Sequence, residues 1–288
     1  MDGSFKLTPE SLKQICKDHK LYTSCPELND VLYLQCKAIE VLENLEAYTG
    51  LKTLYLESNA ISAIQGLDAL VNLRSLYLGK NLIQRICGLE ALVQLETLDL
   101  SDNRISTVEG LSQLQRLRTL VLANNQLATA ADIQQLEQCS SLVTLDFSGN
   151  KLCEPAALTL LAGLPLALLK LQGNPLVSLV KHYRKVVVSS MPQLNYLDDA
   201  PVTDQDRRLA AAFMQGGIPA EAAERQAIRS EAAAAAQQQR NNFDAMVAAA
   251  RAAPAPPHDP MRFRAVPPGE SDSDDEGLPA SYIAQKHA

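Results

Sequence analysis

The feature that most constrains this chain is an internal repeat with a period of 22 residues. Leu51, Leu54, Leu56, Asn59, Ile61, Ile64, Leu67 and Leu70 recur as Leu73, Leu76, Leu78, Asn81, Ile83, Ile86, Leu89 and Leu92. They recur again as Leu95, Leu98, Leu100, Asn103, Ile105, Val108, Leu111 and Leu114. Upstream, Leu32, Leu34, Ile39, Leu42 and Leu45 keep the register, with Lys37 where the Asn would stand. Downstream the pattern runs through Leu120, Leu122, Asn125 and Leu127, then Leu145, Phe147, Asn150 and Leu152, and ends in a truncated unit at Leu169, Leu171, Asn174 and Leu176. There the spacing stretches to 25 and 24 residues, which predicts longer helical turns on the outer side of those units.

A single unit of this kind cannot bury its own leucines, but a stack of units can, so residues 29–176 are committed to a solenoid. Within each Leu-x-Leu core, strand alternation sends the leucines inward and the residues between them to the concave side. Each Asn stands where the chain leaves the strand, and its amide can satisfy backbone groups left there without sheet partners. The Asn ladder is therefore structural. Residue types and spacing resemble the leucine-rich repeat. The fold class is an α/β repeat solenoid, a horseshoe of about seven short-period units.

Both ends need covers. Over residues 1–28, Thr8 reads as an N-cap with Pro9 at the first helical position, and Leu12, Ile15 and Cys16 share one helical face. Over residues 177–202, a helix near His182–Val188 precedes a closing Leu194-x-x-Leu197-Asp198 turn. Lys181, Arg184 and Lys185 read as a solvated face of that helix. Composition then changes: 44 of the 46 leucines precede Thr203, while the last 86 residues hold 23 alanines and two leucines. Residues 203–253 are predicted as a helical extension, interrupted at Gly216-Gly217 and resumed at Pro219 with five alanines at Ala232–Ala236. In the run from Pro219 to about Ala253 the apolar residues (Ile228, Phe243, Met246, Val247) are too sparse for a core face, so that run should dock weakly at most. Residues 254–288 read as a disordered acidic tail.

Several functions are excluded. A net charge of −7 argues against a nucleic-acid partner. No stretch approaches the apolar length of a membrane span. Residues Met1–Lys6 lack the apolar core of a secretory signal, so a reducing compartment is expected, the cytosol or one continuous with it. The six cysteines form no CxxC pair and no cluster with the four histidines, so neither metal nor cofactor is expected. Phosphate-binding, zinc-hydrolase and nucleophile-elbow motifs are missing, and no enzyme is expected.

Binding is more legible. The central concave position of successive strands is Tyr33, Tyr55, Tyr77, Asp99, Val121, Asp146 and Lys170, and the next is Gln35, Glu57, Gly79, Ser101, Ala123, Ser148 and Gln172. Tyr suits a half-exposed strand in any case, but it is also enriched at interface hot spots. Tyr33, Tyr55, Tyr77, Asp99, Asp146 and Glu57 are the candidate protein-binding residues, with the tyrosines pointing to solvent. In the tail, Ser271 and Ser273 lie in Glu270-Ser271-Asp272-Ser273-Asp274-Asp275-Glu276, either a solubilising run or acidophilic-kinase sites.

Three segments are more specific than the repeat itself: Leu21-Tyr22-Thr23 with Pro26-Glu27-Leu28-Asn29-Asp30-Val31-Leu32-Tyr33-Leu34, Glu43-Asn44-Leu45-Glu46-Ala47-Tyr48-Thr49-Gly50-Leu51-Lys52, and Tyr196-Leu197-Asp198-Asp199-Ala200-Pro201-Val202 followed by Asp206-Arg207-Arg208. From about residue 8 to about residue 230 the chain resembles the leucine-rich-repeat dynein axonemal assembly factors. The resemblance implies a non-enzymatic, monomeric scaffold in the cytoplasm, associated with the cilium or flagellum, that helps chaperones preassemble dynein arms. It implies axonemal dynein heavy or intermediate chains and chaperone or PIH-domain adaptors as partners. Asp272-Ser273-Asp274-Asp275 resembles the phosphoserine motif that PIH domains read. Many members carry a much longer C-terminal region, whose functions are not carried over. The alternatives are a phosphatase regulator, which would show more units, a spliceosomal protein, which would favour a basic concave face, and an axonemal dynein light chain, usually shorter.

Overall fold

Each Leu-x-Leu core forms a three-residue strand, and the computed structural model, which describes residues 5–252, stacks seven of them in parallel: β1 (Val31–Tyr33), β2 (Thr53–Tyr55), β3 (Ser75–Tyr77), β4 (Thr97–Asp99), β5 (Thr119–Val121), β6 (Thr144–Asp146) and β7 (Leu168–Lys170). Every strand buries its middle residue and half-buries the two flanking ones. The register pairs Leu32, Leu54, Leu76, Leu98, Leu120, Leu145 and Leu169 rung to rung. Two short strands close the sheet, β8 (Tyr196–Leu197) parallel to β7 and β9 (Ala200–Pro201) antiparallel to β8. The leucines form one continuous hydrophobic column.

The Asn ladder satisfies the backbone where the chain turns out of each strand. Asn81, Asn103, Asn125, Asn150 and Asn174 are buried. Each accepts from a backbone N–H of the preceding unit, as Asn103 does from Ile83 at 3.0 Å. Each amide donates to carbonyls of both units, as Asn103 does to Leu78 and Leu100. Asn59 extends the ladder to the first unit, accepting from Lys37 and Ile39 and donating to the carbonyls of Leu34 and Leu56. At the far end Asp198 accepts from Leu171 and Gln172. A second ladder passes unnoticed in the leucine pattern: Gly66, Gly88 and Gly110 recur at φ near +70°, and a Cβ on Gly88 would lie 2.5 Å from the Ile64 carbonyl oxygen.

The stretched outer segments are helical, a 3₁₀ helix at Ala131–Gln138 and α2 (Ala156–Ala162). At the N-terminus, α1 (Pro9–Asp18) starts with a reciprocal Thr8–Ser11 capping box and buries Leu12, Ile15 and Cys16. After β7 come α3 (Pro175–Leu179) and α4 (Tyr183–Ser190).

The helical extension, α5 (Asp204–Ala252), departs from expectation. It breaks at Gly216-Gly217, where Gly217 takes φ +65° and ψ −151°, open only to glycine. The chain folds back there: Arg208 Nε reaches Glu224 Oε1 at 2.6 Å across 16 residues. The first part of the run from Pro219 docks through specific pairs. Arg184 of α4 pairs with Asp206 at 3.1 Å, and Lys185 pairs with the buried carboxylate of Glu221 and lies over the Phe213 ring. Arg184 and Lys185 are thus held by the two arms of α5, by Asp206 before the break and Glu221 after it, and are not a solvated face. The dock escaped the apolar count because it is built on charges. Residues up to Arg229 form one compact unit and those from Ser230 a second, in which Ala232–Ala236, Phe243 and Met246 are exposed.

Candidate functional site: the concave face

Because β1, β2 and β3 pair in register, Tyr33, Tyr55 and Tyr77 occupy equivalent positions on adjacent rungs. Their rings stack face to face, Tyr33 on Tyr55 at 5.4 Å and 3°, Tyr55 on Tyr77 at 4.8 Å and 7°. The tyrosines are therefore half-buried against one another and do not extend freely into solvent. His19, at the C-cap of α1, adds a fourth ring, tilted 32° and 5.0 Å from Tyr33. Burial first, then the neighbouring Tyr77, Tyr33 and Glu57, push the Tyr55 phenol above its ordinary value.

Carboxylates stand where the aromatic rungs end. Asp99 replaces the ring on β4, and its Oδ1 accepts from the Ser101 N–H at 2.8 Å. Glu57 follows β2, with Oε2 buried and without a hydrogen-bond partner among the described residues. Burial first, and also the charge of Asp99, push the Glu57 carboxyl above the ordinary carboxylate range against a backbone hydrogen bond that lowers it. Asp146, two rungs beyond Asp99, accepts from Ser148 N–H at 2.9 Å and Ser148 Oγ at 2.6 Å, and faces Lys170 at 3.7 Å.

The fold brings Tyr33, Tyr55, Tyr77, Glu57 and Asp99 together, whereas Asp146 belongs to a separate cluster with Ser148 and Lys170. His19 was missed because it lies outside the repeat, and only the end of α1 places it in line. Ser271 and Ser273 lie outside the described residues. Among the described residues no group of His, Cys, Asp and Glu is arranged to hold a metal ion. The face offers aromatic surface and negative charge.

Comparison with known proteins sharpens the reading. The Leucine-rich repeat family model matches residues 91–227, and a two-copy Leucine Rich repeats model matches residues 49–91. The chain is 63% identical over 222 residues to dynein axonemal assembly factor 1 of Homo sapiens, a match covering 77% of this chain. The chain belongs to the leucine-rich-repeat dynein axonemal assembly factors. A second relative of this family member, the leucine-rich repeat-containing protein ODA7 of Chlamydomonas reinhardtii, is 46% identical over 92 residues, 32% of this chain and 21% of that protein. The chain spans 30% of the length of the human assembly factor. In three dimensions this chain is similar to an internalin from Listeria monocytogenes, with TM-score 0.51 and 26% identity over 66% of this chain and 51% of that one. That likeness concerns the fold. No helix among the described residues is long and apolar enough to cross a membrane.

Proposed function

We propose that this chain is a non-enzymatic scaffold for preassembly of axonemal dynein arms, acting in the cytoplasm of cells that build motile cilia or flagella. The observation that carries the reading is the 63% identity to a protein named for dynein axonemal assembly. In this reading residues 29–176 present the binding face, the segments 1–28 and 177–202 close its ends, and the extension 203–253 leads to an acidic tail at 254–288. The partners are axonemal dynein heavy or intermediate chains, engaged on the concave face through Tyr33, Tyr55, Tyr77, Glu57, Asp99 and Asp146. The mixed aromatic and acidic character of that face argues against a spliceosomal ribonucleoprotein.

The test is affinity capture from ciliated cells with the wild-type chain and a Tyr33→Ser, Tyr55→Ser, Tyr77→Ser triple variant. Dynein heavy chains should come down with the first and not with the second, while the melting curves stay cooperative. Capture of spliceosomal proteins or a phosphatase in place of dynein would overturn the reading.

The tail adds an adaptor site centred on Ser273. A phosphate there adds about −1.5 to −2 charge and acceptor oxygens suited to a Lys/Arg pocket. A peptide spanning Pro268–Pro279 should bind a PIH domain only when Ser273 is phosphorylated. Equal binding of both forms would leave the run as a solubilising tail.

A further inference from the structure

The aromatic ladder stops one rung short of a carboxylate, and the place where it stops has the features of a cation seat. Tyr55 is covered on both faces by its neighbours, but Tyr77 is stacked only by Tyr55 among the described residues. The next position in the stack belongs to Asp99, in register with Tyr77 and too short to continue it. Adjacent strands lie about 4.8 Å apart, close to the separation of stacked planar groups, so one planar group fits against Tyr77 at this rung.

The surroundings keep that position open and negative. Gly79 sends no side chain into it; a Cβ there would lie 2.8 Å from Ser101 Oγ and 3.6 Å from Asp99 Oδ1. Asp99 uses Oδ1 on the Ser101 N–H and leaves Oδ2 without a hydrogen bond among the described residues. Glu57 Oε2 is buried and unpartnered. Among the described residues no lysine or arginine forms an ion pair with Glu57 or Asp99. Lys170 pairs with Asp146 and Asp199, Lys52 pairs with Asp30, and the exposed Lys80 pairs with neither Glu57 nor Asp99.

We propose that the notch between Tyr77, Gly79, Glu57 and Asp99 seats an arginine side chain of the partner protein that docks on the concave face. This inference rests on the reading of that face as a docking surface and names the group it reads. Guanidinium is planar, stacks on an aromatic face and donates in a fixed fork to carboxylate oxygens such as Asp99 Oδ2. An ammonium gives up the stacking and the fork, and an anion is repelled by both acids. The free Tyr77 face and Asp99 Oδ2 are complementary to one group, and the Glu57 carboxyl beside them adds negative charge.

The test uses the full chain with ring-labelled tyrosine, titrated by NMR with N-acetyl-arginine amide, and in parallel with N-acetyl-lysine amide. The Tyr77 ring resonance should shift saturably with the arginine probe, and the lysine probe should bind about fivefold more weakly, the loss of one charge-assisted contact. Asp99→Asn and Glu57→Gln should each weaken the arginine probe by a similar factor with melting curves unchanged. No saturable shift, equal response to lysine, or full binding by the Glu57→Gln, Asp99→Asn double variant would overturn the seat. Dynein capture separates this from the functional reading. Capture with no arginine response removes the seat alone, whereas an arginine response without capture removes the dynein reading and leaves a basic segment of another protein as the occupant.

Discussion

Asn103 joins two units with one short side chain. Its Oδ1 accepts from Ile83 N–H, and its amide donates to the carbonyls of Leu78, Leu100 and Ser101, all at 3.0 Å, with the residue 7% exposed. Truncation removes every one of these partners and admits no water easily. Asn103→Ala is therefore expected to lower stability by about 1–3 kcal/mol or more, the cost of orphaned buried groups. Asn103→Asp keeps the acceptor for Ile83 but turns a carboxylate toward three carbonyl oxygens. It should be at least as damaging at neutral pH and should recover partly in acid, when the protonated carboxyl can donate again. Urea unfolding at both pH values measures this, and an Asp variant as stable as wild type at pH 7 would remove the ladder's role. All of this is legible in the sequence, because Asn at fixed spacing after each Leu-x-Leu leaves one geometry to the stack. The same holds for Thr8-Pro9 and the buried face of α1.

At the scale of the element, the returning helix of α5 is held by polar pairs that leave no periodic trace. Lys185 and Glu221 are 36 residues apart, and neither stands out in a chain one fifth charged. Only the Gly216-Gly217 pair marks the turn, and it reads as a stop as readily as a reversal. His19 and Glu57 escaped full reading for a related reason: spacing places Glu57 on the concave face, but only packing leaves its Oε2 without a partner. The dock carries a pH signature. The hydrogen bond from Lys185, then that from Arg225, hold Glu221 below its ordinary pKa of 4.5 against the opposing effect of burial. A carboxyl depressed in the folded state stabilises fully above its unfolded pKa, and that stabilisation is lost as pH falls from about 4.5 through the folded value. The dock should thus be complete at pH 7 and weaken below about pH 4.5. Glu221→Gln should show the weakened dock already at pH 7 and respond less to acid. Amide exchange over residues 204–229 reads both, and identical protection in the two chains at pH 7 would mean that the ion pair contributes nothing to docking.

For the whole molecule, the consequence of a repeat is that stability is transmitted along one axis. Each unit touches its neighbours, so a lesion at one end weakens the adjacent rungs first and fades with distance. Here the two ends differ. The N-terminal rung is covered by one helix, α1, through Leu12, Ile15 and Cys16, with Leu7 and a Phe5–Ile39 bridge ahead of it, whereas the other end is closed by β8, β9, α4 and the docked part of α5. Leu12→Ala opens a cavity in the thinner cover, and such truncations in a core cost about 2–5 kcal/mol. That loss should appear as faster amide exchange in β1 and β2, a smaller change in β3 and none in β6 or β7. The concave tyrosines give an independent reading of the same gradient. Tyr33 stacks on His19 of this cap, so its ring should become more mobile while Tyr77, two rungs away, keeps its packing against Tyr55. Exchange measured by mass spectrometry, with ring NMR of the tyrosines, decides the matter. A uniform rise across all seven rungs would mean that the solenoid opens only as a whole, and the assignment of end-to-end graded stability would fail.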